Sequence, residues 1–99
     1  MDVHIQSVHF VADAKLLDYI NKKVQKLIIV QDRIVKVDVF LKLDNMAHHI
    51  KDKIAEIRVT IPRHNFFSKT TSKSFEASFD DALDSLLIQL KKDKQKQAA

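Results

Sequence analysis

Two runs of alternating apolar residues, separated by a short polar break, leave few folds open to this chain. In IVKVDVFLKL, residues 34–43, Val35, Val37, Val39, Leu41 and Leu43 fall on one side of an extended strand. Ile34, Lys36, Asp38, Phe40 and Lys42 fall on the other. IAEIRVTIP repeats the alternation with Ala55, Ile57, Val59 and Ile61 inward. The intervening DNMAHH is polar enough to turn the chain, so the two runs predict a hairpin with one buried and one wet face. Pro62, which has no amide proton to give to a ladder, ends the second run.

The period changes on either side of this hairpin. Upstream, Val3 and Ile5 alternate with His4 and Gln6, and Val8 and Phe10 continue after a shift of phase, which predicts a first strand. Asp13 then stands as an N-cap before Leu16, Leu17, Ile20, Val24, Leu27 and Ile28, whose spacings of three and four predict a helix with one buried face. Downstream, NFFSKTTS favours a further strand through its aromatic and β-branched residues. Ser72 or Ser74 would cap a second amphipathic helix marked by Phe75, Phe79, Ala82, Leu83, Leu86, Leu87 and Leu90.

The order β-α-β-β-β-α predicts an α+β fold. A strand-helix-strand crossover makes the first two strands parallel and right-handed, and the short links that follow make hairpins. The expected architecture is a four-stranded mixed sheet with two helices packed on one face. A chain of 99 residues suits a single domain, here spanning 1–99 with a short basic tail from about residue 91.

Composition removes several functions. The chain has no glycine, which excludes phosphate-cradling loops, dinucleotide fingerprints and the strained turn that exposes a hydrolase serine. It has no cysteine, which excludes disulfides and thiolate metal sites and points to a reducing compartment, the cytoplasm. The N-terminus lacks the features of a signal peptide, and the longest purely aliphatic run, Leu27–Val30, is far short of a membrane span.

Side chains that often carry catalysis show no pattern. His48 and His49 are neighbours, which point apart on a strand or turn, and no other ligand stands at a metal-binding spacing. No serine is paired by order or spacing with a base. Glu76, Asp80, Asp81 and Asp84 sit early in the second helix, where negative charge complements the positive end of the helix dipole. The expectation is a protein without catalytic residues, metal, cofactor or small-molecule substrate.

Positive charge is better organised. The net charge is +4; residues 1–50 carry seven basic against six acidic residues, and residues 51–99 carry ten against seven. Lys15, Lys22 and Lys26 are spaced by seven and four on one flank of the first helix, with Lys23 beside them and Arg33 just beyond. Lys91, Lys92, Lys94 and Lys96 close the second helix, where the dipole favours cations only near the last turn. If the helices lie side by side, these groups merge into one surface suited to a polyanion. Exposed aromatics are few, Phe40 with Phe66 or Phe67, so nucleic acid would be held by phosphates and shape. An acidic protein partner, or a plainly solvated face, fits the same pattern.

Taken together, KKVQKL, DRI leading into VDVFLKL, AEIRV and ASFDDALDSLLIQLKKDKQK resemble the short ribosome hibernation promoting factors and the related ribosome-associated inhibitor, a family whose members also carry the name of sigma-54 modulators. The strongest part is the pattern of Ala77, Asp80, Asp84, Leu86, Gln89, Leu90, Lys92 and Lys94. The resemblance implies a cytoplasmic protein that binds the small ribosomal subunit at the messenger and transfer RNA sites and inhibits translation in stationary phase. It also implies ribosomal RNA contacts through Lys23, Lys26, Arg33, Lys42, Lys92, Lys94 and Lys96, to which the charge pattern adds Lys22 and Lys91. An alternative is a regulator of the sigma-factor modulation type that docks an acidic partner through the same basic flanks.

The chain departs from the family pattern in three places, one of them a run of three residues. Ser85 stands where many relatives have lysine, Glu76 where a tyrosine is common, and Arg63, His64 and Asn65 where relatives often place glycines in the last hairpin. The chain resembles neither the long members, which append a ribosome-pairing domain, nor the branch with a C-terminal extension.

Overall fold

A computed structural model describes residues 1–44 and 52–98. The elements are β1 (Asp2–Val8), α1 (Ala14–Val30), β2 (Lys36–Asp44), β3 (Asp52–Ile61), β4 (His64–Ser72) and α2 (Phe75–Ala98). The strands form one sheet in the order β1-β2-β3-β4, with β1 parallel to β2 and the remaining pairs antiparallel. Both helices contribute to a single core on one face of it. The turn expected within DNMAHH, with His48 and His49, lies outside the described residues.

The core follows from the alternation. Val37, Val39 and Leu41 of β2 pair with Val59, Ile57 and Ala55 of β3, and all six are fully buried. Against them pack Leu16, Ile20, Val24 and Leu27 of α1 and Phe75, Phe79, Ala82, Leu83, Leu86 and Leu90 of α2. Burying a large aliphatic or aromatic side chain is worth about 1.5–3 kcal/mol each, which sets the scale of what holds the helices on the sheet.

The expected phase fails at three places. Val35 is 53% exposed and Ile34 only 6%, the reverse of the alternation. The strand begins at Lys36, and the chain enters it from the loop after α1 with Ile34 turned into the core and Val35 and Lys36 both outward. Ile28 lies at the exposed margin of α1 rather than in its buried stripe. β1 stops at Val8 because His9 adopts φ 66, and this turn sends Phe10 back to stack on Phe75, ring centroids 4.7 Å apart.

Capping and turn chemistry close the remaining ends. Asp13 caps α1 by accepting from the Leu16 amide at 2.8 Å, and of the two candidate serines Ser74 caps α2, accepting from the Ala77 amide at 3.1 Å. β3 and β4 are joined through Pro62 and Arg63, with Ile61 paired to His64. Pro62 cannot take a positive φ, so Arg63 does, at 70°, the position where a type II turn favours glycine.

One polar side chain, Ser78, is fully buried. Ser78, on the face of α2 that meets the sheet, accepts from the Ala55 amide at 3.0 Å and donates to the Thr70 carbonyl at 2.8 Å. Thr70 Oγ1 donates in return to the Ser78 carbonyl. Three elements are thereby fixed at one point.

Candidate nucleic-acid interface

The two helices run parallel, and two contacts show it. Near their starts, the Tyr19 hydroxyl donates to Asp80 Oδ2 at 2.6 Å, and Lys23 Nζ stands 3.8 Å from Asp80 Oδ1 and 5.3 Å from the centre of the Tyr19 ring. Near their ends, Lys94 Nζ donates to the Val30 carbonyl at 3.3 Å. Parallel packing puts both negative dipole ends at the same end of the molecule, where Arg33, Lys91, Lys92, Lys94 and Lys96 lie. The early carboxylates of α2 lie at the other end.

The Tyr19–Asp80 bond also favours the neutral phenol. Tyr19 is pushed up to about 12, first because its hydroxyl donates to the Asp80 carboxylate, then by burial and by the negative charges of Asp80 and Glu76. Asp80, early in α2 as the dipole reading has it, also forms a latch between the helices, with its buried Oδ1 3.8 Å from the Lys23 ammonium.

Helical spacing then assigns the other cations to faces. On α1, Tyr19, Lys22, Lys23, Lys26 and Val30 recur at three and four along the side turned to α2. On α2, Asp80, Asp84, Leu87, Lys91 and Lys94 do the same along the side turned to α1. Lys22, Lys26 and Lys91 are exposed on this seam, and Arg33 is exposed in the loop beyond its end. Lys22, Lys26 and Lys91 thus share the faces that the two helices turn to each other.

The other terminal lysines point elsewhere. Lys92 and Lys96 lie on the far side of α2 from α1, where they line an open cleft of about 540 Å³ with His64, Asn65, Gln89 and Asp93. Gln89 is anchored there by donating to the Phe67 carbonyl at 3.2 Å. The lysines of α2 thus form two rows back to back, not one. The basic stretch expected as a tail from about residue 91 is itself helical to Ala98.

Lys42 does not join either row. It sits on the face of the sheet away from the helices, paired to Glu56 at 2.8 Å, and Glu56 also meets Lys69 at 3.9 Å. On the same open face Phe67 is 47% exposed beneath the Arg58 guanidinium, 5.8 Å from its ring centre, whereas Phe66 is buried. Sequence reasoning missed His64 and Asn65 as cleft residues; their polarity at a hairpin where glycines were expected was the available signal. Among the described residues no three histidine, aspartate or glutamate side chains gather closely enough to hold a metal ion.

Comparison with known proteins agrees with this architecture. A ribosomal subunit interface protein from Coxiella burnetii superposes with a TM-score of 0.85 at 18% identity, covering 96% of this chain and 99% of that one. The Thermus thermophilus Protein Y N-terminal domain superposes with a TM-score of 0.80 at 26% identity, covering 93% and 98%. No curated protein sequence is a significant match. Residues 3–98 match the family described as sigma 54 modulation protein / S30EA ribosomal protein, and the chain belongs to that family.

Proposed function

We propose that this protein binds the small ribosomal subunit through ribosomal RNA, occupies the messenger and transfer RNA sites, and thereby holds translation inactive in stationary phase. The reading is of a cytoplasmic protein that acts by occupancy, not by catalysis. The observation that carries it is the parallel packing of α1 and α2, which sets exposed Lys22 and Lys26 of α1 and Lys91 of α2 along one seam, with Arg33 exposed beyond its end. Polyanion binding by such a surface comes from release of counterions, and fold shape restricts which RNA can meet all of it. Membership of the family and likeness to a ribosomal subunit interface protein support the ribosome as the bearer of that RNA.

The test is sedimentation with purified small subunits. Wild-type protein should pellet with them, and Lys26→Glu combined with Lys91→Glu should weaken binding by roughly tenfold or more, since two phosphate contacts are reversed in sign. Failure of the wild type to pellet would sink the reading. It would favour the sigma-factor type of regulator, which docks a protein through the same seam.

A further inference from the structure

We propose that the free edge of β1 is an interface for a second copy of this chain, which pairs β1 with β1 in antiparallel register about a two-fold axis at Ile5. The inference goes beyond the reading of the protein as RNA-binding and uses a side of the molecule away from the cationic seam.

The two edges of the sheet are built differently. On β4, Lys69 is exposed, and the exposed Arg63 and Lys73 flank the strand. Ile61 pairs with His64 across the turn, so by alternation the Phe67 carbonyl faces away from β3, and Gln89 donates to it at 3.2 Å. Edge cations and an occupied edge acceptor keep other strands away.

β1 has no such guard. Asp2 donates to the Val35 carbonyl at 3.1 Å, so alternate residues of this parallel ladder turn to β2 and Val3, Ile5 and Ser7 turn their backbone groups outward. Among the described residues no side chain bonds to these outward groups. The strand holds no lysine, arginine or proline, and Asp2 is its one carboxylate.

Symmetry of the edge selects a second copy as its partner. Val3 and Ser7 stand equally far from Ile5, so an antiparallel pairing centred on Ile5 lets Val3 exchange backbone bonds with Ser7 of the second copy, and Ile5 with Ile5. Every outward group is then used.

The helix beside the edge matches the same axis. α2 packs on β3 and β4 with α1 next to it, so α1 lies over the β1 half of the sheet. Tyr19, Lys23 and Val30 lie on the side of α1 turned to α2, which puts Leu17 and Ile28 on the side toward the β1 edge. The helix runs opposite to the strand, so Leu17 lies toward the Ser7 end and Ile28 toward the Val3 end. The two-fold axis sets Leu17 of each copy against Ile28 of the other. Ile28 is 36% exposed and Leu17, Val3 and Ile5 are half-buried, so all four have apolar surface left to cover. Lys22 and Lys26 stay on the opposite flank of α1, which keeps the cations of the two copies apart.

The experiment is sedimentation equilibrium of the whole protein over a concentration series, with amide hydrogen exchange at the two extremes. The mass should approach twice that of one chain, and the Val3, Ile5 and Ser7 amides should gain protection as it does. Ile28→Lys should weaken association by roughly tenfold or more, since an apolar contact is lost twice per dimer. Ser7→Pro, which removes only a donor that β2 does not use, should weaken it as well, and Ile88→Lys on α2 should not.

A chain that stays monomeric at millimolar concentration, or a dimer whose β1 amides gain no protection, would overturn the proposal. So would a dimer indifferent to both Ile28→Lys and Ser7→Pro while circular dichroism shows them folded. Protection of the β1 amides only on binding small subunits would assign the edge to a foreign strand and overturn the second copy. Sedimentation with small subunits reads the RNA interface separately, because Ile28→Lys and Ser7→Pro lie outside it.

Discussion

The ammonium of Lys94 reaches the carbonyl oxygen of Val30, the last residue of α1, at 3.3 Å, so the end of one helix is capped by a side chain from the end of the other. Carbonyls of a final turn have no partner within their own helix, and a cation there meets both the free acceptor and the negative dipole end. Of the four terminal lysines this one has a structural role in the folded chain, beyond any contact with RNA.

Lys94→Ala should therefore lower stability by about 0.3–1 kcal/mol, less at high salt. Lys96→Ala should change it by no more than about 0.5 kcal/mol, as exposed substitutions usually do. Urea unfolding of the two variants at low and high salt checks the difference. Equal stabilities would mean that the Lys94 contact contributes nothing.

Tyr19 offers a pH test, made simple because it is the only tyrosine and there is no tryptophan. Its pKa is raised in the folded state, from an ordinary 10 to about 12, so the neutral phenol is the form the fold prefers. The stability linked to it is present in full below pH about 10 and is lost as pH rises toward about 12. Phenolate absorbance should titrate near 12 in the wild type and move back toward 10 in Asp80→Asn. An unshifted midpoint in that variant would remove Asp80 as the cause.

Ser78→Ala removes a hydroxyl that satisfies the Ala55 amide and the Thr70 carbonyl at once. The Ala55 amide would be left unsatisfied in a buried site, at a cost of about 1–3 kcal/mol. The denaturation midpoint should fall with an unchanged slope. Ser78→Thr is the control that keeps the hydroxyl and adds a methyl group.

How far the sequence reveals this molecule depends on whether a residue's role is local. The alternation of Val37, Val39 and Leu41 against Ala55, Ile57 and Val59 states its own partner, because period and burial are one pattern. Asp13 and Phe79 are legible for the same reason. Ser78 lies among Glu76, Asp80 and Asp81 and reads as solvated until β3 and β4 are known to lie beneath it. Lys94 and Asp80 depend on the parallel pairing of two helices joined by three strands, a tertiary fact that no local period encodes. Lys42 shows the remaining gap: its place on the wet face of β2 is legible, but its ion pair with Glu56 depends on how β2 and β3 are set against each other.

Arg63 tests the glycine-free hairpin. A residue with a side chain at φ 70 stores about 1–2 kcal/mol that glycine would not, partly offset by the greater freedom of glycine in the unfolded chain. Arg63→Gly should therefore raise stability by up to about 1 kcal/mol, and Arg63→Val should lower it, because a β-branched residue is an outlier at positive φ. Thermal unfolding of both variants decides. A destabilised glycine variant would show that the Arg63 side chain itself holds the turn.

Salt separates electrostatic binding from docking on an apolar surface. Lys22, Lys26, Arg33, Lys91, Lys92 and Lys96 are exposed, whereas Lys23, Lys42 and Lys94 already hold Asp80, Glu56 and the Val30 carbonyl. If the six exposed cations each neutralise one phosphate, the logarithm of affinity for the small subunit should fall with the logarithm of salt at a slope of roughly −4 to −5. Lys92→Ala with Lys96→Ala should make that slope shallower by about 1.5–2, and Lys42→Ala should leave it unchanged. A flat response in the wild type would mean that the basic end is not where RNA is held, since counterion release cannot be avoided when phosphates are neutralised.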